Sequence, residues 1–278
     1  MTARSMDTGG VRAAFEAEAR QLVGAMRALA AADFARPTAC QPWTVADLLA
    51  HVRTATARLI DMLAGPAPGP AEVDAAGYYG PSKFTAATDG ARVAAARSEA
   101  AAVPSGRDLV EDLDRVWRAA AAAAAAEPAD RVVATRHGDR MELDEFLLTR
   151  VVELGVHGLD LAAALDRRPW LTEPAAMVIE GLLLRPGAAA DGSGPQANPG
   201  PPAGPQANPG PPAGPGPAAG PGAGPGPQAG PMEGSTARCP ELGWDRLTFI
   251  AKATGRSPLR PAERAAVAEL GLRWLSFG

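Results

Sequence analysis

The sequence is short of several residue types, and each shortage excludes something. It has two cysteines, Cys40 and Cys239, so neither a disulfide framework nor a CxxC metal knuckle can be built. Its only lysines are Lys83 and Lys252, and with a formal net charge of -4 no window gathers basic residues on one face. Nucleic-acid binding through phosphate neutralisation therefore has no support. Aromatics make up 5% of the chain, which suits helices packed through small side chains better than an aromatic-rich β-sandwich. No run approaches the roughly 20 apolar residues that a bilayer span needs. The opening MTARSMDTGG also lacks the apolar core of a signal peptide. The expectation is a protein of the reduced cytoplasm with no membrane partner.

What is present points to helices. Hydrophobic residues are 46% of the 278, much of that alanine, and the Gly, Pro and Arg load has the look of GC-rich coding. Phe15, Ala19, Leu22, Met26 and Leu29 recur at three- and four-residue steps and predict a helix over 11–32. Thr44, with Asp47 three residues on, opens a second helix whose apolar face is Leu48, Val52, Ala55, Leu59 and Met62; Gly65-Pro66 ends it. Residues 65–90 read as a long surface connection. A third helix starts near Ala91 or Arg107 and stops at Glu127-Pro128, carrying Leu109, Leu113, Val116, Trp117 and the alanines 119–126. Residues 131–143 suggest a small hairpin or an extended loop around His137-Gly138-Asp139. Asp144 then caps a fourth helix to about Asp166, apolar on nearly every side and so expected to be buried. A fifth covers about 173–184.

From Pro186 the character changes. GPQANPGPPA occurs twice in tandem, at 194–203 and 204–213, and then degenerates into Gly-Pro-Ala runs. Glycine is not at every third position, so a disordered, partly polyproline-II linker is expected over 186–235 rather than collagen. Trp244–Ala253 and Ala262–Leu275 read as two short helices in a tail, 236–278, too poor in large apolar residues to fold alone and so expected to dock back on residues 10–185.

Of three histidines, His51 and His157 fall in mid-helix. Glu153 and His157 are four apart and share one helix face. Among Val151, Val152, Leu154, Val156, Leu159 and Leu161, a carboxylate and an imidazole are costly to desolvate unless they pair or bind a cation. Glu153 and His157 could supply two metal ligands, with His51 the best available third. Two His and one carboxylate leave a position open for water or substrate, the pattern of a catalytic zinc site, and helix bundles build such sites from facing helices. On spacing alone, E-x-x-x-H is equally a hydrogen-bonded core or surface pair. Asp160 reads either as an acceptor that orients a ligand or as a solvated carboxylate. Arg150 reads as a partner of a nearby acid or a contact for an anionic substrate. Cys40 reads as structural, His137 as an exposed turn residue and Trp43 as a packing anchor.

Residues 38–51 (TACQPWTVADLLAH) and 150–165 (RVVELGVHGLDLAAAL), in that order, resemble the mycothiol-dependent maleylpyruvate isomerase metal-binding family of DinB-like helical bundles. The likeness covers roughly residues 10–185, and residues 249–256 (FIAKATGR) are similar to the tails of many relatives. The resemblance implies a mainly α, four-helix DinB-like bundle. It also implies a divalent metal, zinc by first expectation, held by His51, Glu153 and His157. In such enzymes the metal binds the sulfur of a low-molecular-weight thiol such as mycothiol. The resulting thiolate adds to an activated double bond, the single bond rotates, and the thiol leaves; without elimination the same attack is an S-transfer. The partners implied are a thiol and a small electrophile. The linker and short tail replace a fuller C-terminal domain, which argues against maleylpyruvate itself as substrate. Alternatives are a metal-dependent hydrolase and a non-catalytic metal-binding module.

Overall fold

Why four of the helices close around one core is visible in their buried faces. In the computed structural model, which describes residues 8–79, 86–128, 130–185 and 240–272, α1 (Thr8–Arg27) buries Val11, Ala14, Phe15, Ala19, Leu22, Val23 and Met26, one stripe at helical spacing. Helix α2 (Val45–Ala64) buries Val45, Leu48, Leu49, Val52, Ala55 and Leu59. Helix α5 (Gly106–Ala125) buries Leu109, Val110, Leu113, Trp117, Ala120 and Ala124. Helix α6 (Leu143–Ala164) is buried on almost its whole circumference. These four form a ring in which α1 touches α5 and α6, and α2 touches the same two from the other side. The four-helix bundle expected from the sequence is therefore present.

The remaining elements clothe that ring. Helix α3 (Ala75–Tyr78) lies on α6, α4 (Ala86–Ala102) packs on α2, and α7 (Glu173–Leu183) covers α1 and α6. Strands β1 (Val132–Ala134) and β2 (Arg140–Glu142) form a hairpin, the first of the two forms open for this stretch, with Val133 opposite Met141. Helix α8 (Arg246–Ala253) packs on α7 with Phe249 and Ile250 fully buried, and α9 (Pro261–Glu269) follows. Docking of the tail follows from those two side chains, which have no core of their own to enter. The described residues all belong to one compact unit. The linker expected over 186–235 lies outside the described residues. Among the described residues no helix is long and apolar enough to cross a membrane.

Several boundaries differ from expectation. The first helix ends at Arg27 rather than near residue 32, and Ala31–Ala35 forms a separate 3-10 turn that buries Phe34, with the Asp33 carboxylate accepting the Ala30 N–H at 3.0 Å. Of the two starts expected for the third helix, Arg107 is the one that fits: α5 begins at Gly106, where Ser105 caps it by accepting the Asp108 N–H, and Ala91 falls inside a separate helix, α4. Residues 65–90 are not only a surface connection: Ala75, Ala76 and Tyr79 are buried, and the Tyr79 hydroxyl donates to the Thr149 carbonyl at 3.2 Å. Glu142, not Asp144, occupies the cap of α6; Asp144 sits in the first turn and pairs with Arg12 at 2.9 Å.

Candidate metal centre

Two elements carry the candidate ligands. At the start of α2, Thr44 and Asp47 form a reciprocal capping box, which fixes the helix so that His51, almost two turns on, faces α6. On α6, Glu153 and His157 share a face one turn apart. The three side chains meet: the Nε2 atoms of His51 and His157 each lie 3.3 Å from Glu153 Oε2. The two imidazole rings stand edge to face, 5.3 Å between centroids. One ligand atom from each of the three residues falls within 4.8 Å of the others. The lone pairs of a small open nitrogen–oxygen site can thus converge on a single ion.

Each ring is held from behind. Trp43 stacks on His51 at 4.9 Å, which goes beyond the packing anchor read from the loop. Asp160 Oδ2 lies 3.0 Å from His157 Nδ1, so the ring donates from Nδ1 and leaves Nε2 for the centre. Of the two readings of Asp160, the orienting acceptor fits: it is buried, at 3% exposure. Arg150 is buried too. Its guanidinium donates to the Ala55 carbonyl at 3.1 Å and to Thr149 Oγ1, lies over the Phe146 ring, and comes within 3.9 Å of Glu153 Oε1. His137 is exposed on the hairpin turn, as expected.

The electrostatics follow from this packing. Burial lowers the pKa of His51, only partly opposed by Glu153. Burial would also lower that of His157, but its hydrogen bonds to Asp160, Cys40 and Glu153 prevail and hold it well above the ordinary value. Glu153 is held well below the carboxylate range: burial opposes this, and the hydrogen bonds from His157 and His51 outweigh it. The ionised carboxylate is therefore favoured, and a cation held by these residues would compete with the proton on His157. This donor set, one carboxylate and two imidazoles, fits a borderline divalent ion.

These groups line a cavity of about 720 Å³. Five arginines, Arg58, Arg92, Arg136, Arg150 and Arg256, share its wall with Cys40. Sequence reasoning missed Arg58, Arg92, Arg136 and Arg256, because only the fold brings α2, α4, the hairpin and the tail to one space. Burial lowers the pKa of Arg58, and the neighbouring charges of Arg136 and Arg150 push it the same way.

Over residues 15–162, more than half of its length, the chain matches the family described as mycothiol maleylpyruvate isomerase N-terminal domain. The chain belongs to this family. The match runs from within α1 to near the end of α6, and so includes all three candidate ligands of this mycothiol maleylpyruvate isomerase N-terminal domain. A solved structure described as that of the mycothiol-dependent maleylpyruvate isomerase is similar at 16% identity with a TM-score of 0.44, over 65% of this chain and 71% of the other. No curated protein matches the chain.

Proposed function

We propose that the chain is a metal-dependent enzyme in which His51, Glu153 and His157 hold a divalent ion, zinc by the chemistry of the donors, and that it acts on a small electrophile with mycothiol or a similar thiol as nucleophile. The reaction is an isomerisation or an S-transfer. The observation that carries this reading is the convergence of two imidazoles on one carboxylate oxygen at the wall of a cavity of about 720 Å³. That volume lies within the range of roughly 300–1,000 Å³ typical of small-molecule sites. A divalent ion held there makes a bound thiol acidic enough to react as a thiolate near neutral pH. The protein's part is positioning. Trp43 and Asp160 fix the two rings, and the apolar flank of α6 keeps water from the buried side. Arginines on the wall favour an electrophile that carries negative charge. A reduced cytoplasm suits a chemistry that needs a free thiol.

The test is to load the purified chain with zinc and follow turnover of an electrophile with and without mycothiol. Thiol-dependent turnover supports the proposal. Thiol-independent product release points instead to a hydrolase, and bound metal with neither activity to a binding module. His157→Ala is expected to lose the bound metal while its circular dichroism keeps the helical signal. Unchanged metal content in that variant refutes the ligand assignment.

A further inference from the structure

The tail reaches the centre through one side chain. Helix α8 ends in a Schellman turn: the Arg256 N–H donates to the Ala251 carbonyl at 2.7 Å and the Gly255 N–H to Lys252 at 3.2 Å. Gly255 has φ +77°, the left-handed conformation this turn requires and a side chain disfavours. The turn aims Arg256 back into the bundle, where its Nε and Nη2 each donate to one oxygen of Asp160 at 3.0 Å. Its Nη1 donates to the Thr254 carbonyl at 2.6 Å, so the guanidinium is fixed at its own end as well. Behind it, Phe249 and Ile250 are fully buried and Arg246 Nε pairs with buried Glu180 at 2.9 Å, anchoring α8 on α7.

We infer that Arg256 is a positioning residue for the metal centre: by clamping both oxygens of Asp160 it fixes the carboxylate that holds the His157 ring. This rests on the proposed metal site. The geometry leaves Asp160 little freedom. Its Oδ2 receives His157 Nδ1 at 3.0 Å and Arg256 Nη2 at 3.0 Å, and the Cys40 thiol lies 3.2 Å away. A bidentate guanidinium–carboxylate pair is planar and directional. Without it, Asp160 keeps only the contacts of His157 Nδ1 and the Cys40 thiol, both on Oδ2, and with Oδ1 released the carboxylate can rotate about its side-chain bonds. His157 then loses its fixed orientation, and Nε2 is no longer aimed at the centre. Groups that orient a ligand in this way typically change metal affinity by 10–100-fold when removed.

The experiment compares chelator-driven zinc release from the full-length, zinc-loaded wild type, Arg256→Met, Arg256→Lys, Asp160→Asn and the double variant Arg256→Met/Asp160→Asn, with circular dichroism on each. Release from Arg256→Met is expected to be about 10–100-fold faster than wild type with the helical signal kept. Arg256→Lys retains the charge without the bidentate geometry and falls between. The double variant releases no faster than Asp160→Asn alone, since both substitutions break one connection. Wild-type release from Arg256→Met overturns the inference, as do additive effects in the double variant. If Arg256→Met fails to fold, Arg256→Lys decides alone: release at the wild-type rate counts against the inference. A wild type that takes up no zinc overturns the metal reading itself, a different result from any of these.

Discussion

Glu18 shows how one residue can set a pH dependence outside the candidate site. It is fully buried on α1; its Oε2 accepts from the Thr172 N–H at 2.8 Å and hydroxyl at 2.7 Å, and Oε1 has no partner. Burial raises its pKa to about 7 against the lowering effect of both Thr172 bonds. The folded state therefore binds the proton more tightly than the unfolded chain. Its contribution is complete below the unfolded value near 4.5 and is lost as pH rises through about 7. A shift of this size corresponds to about 3 kcal/mol. Glu18→Gln, which cannot ionise, is expected to be more stable than wild type at pH 8 by up to that amount and much closer to it at pH 4. Urea midpoints at the two pH values measure the difference; a gap that does not change with pH rejects the account. None of this was legible in the sequence. A single glutamate on an amphipathic stripe reads as a solvated edge until α7 and Thr172 cover it.

At the scale of elements, caps were legible where side chain and backbone are close in sequence. The Thr44–Asp47 box was read directly and starts α2 as expected. The Ser105–Asp108 pair carries the same signal and starts α5 beside Arg107, one of the two expected starts; the alanines on both sides have such even helix propensity that Ala91 stood as the other. What the pattern could not show is contact between elements. An ideal Cβ on Gly106 at the start of α5 would lie 2.3–2.5 Å from ring atoms of Phe34, which the 3-10 turn buries there. Gly106→Ala gains at most about 1 kcal/mol of helix propensity. Overpacking costs about 1–3 kcal/mol, so the clash prevails and the variant is expected to be net destabilised. A chemical denaturation midpoint at or above wild type would show that the ring moves aside without penalty.

At the scale of the molecule, the tail is part of the core although far away in sequence. Phe249 is among the largest fully buried side chains. Phe249→Ala is expected to cost about 3–5 kcal/mol and, by loosening α8 from α7, to speed zinc release along with Arg256→Met. Loss of stability with wild-type zinc release would separate the packing of the tail from any influence on the centre.

The sequence by itself determined the helical class, the start of α2 and the choice of His51, Glu153 and His157 as candidates, because periodicity, caps and spacing are local properties of a chain. Only the tertiary structure decided that His51 faces α6, that Asp160 serves a ring rather than solvent, and that four arginines from α2, α4, the hairpin and the tail join Arg150 on one cavity. His51 and Glu153 are 102 positions apart, and Arg256, which covers Asp160 from solvent, lies 96 positions beyond it. No local rule fixes such distances; they are set when apolar faces from the whole chain close over a common interior.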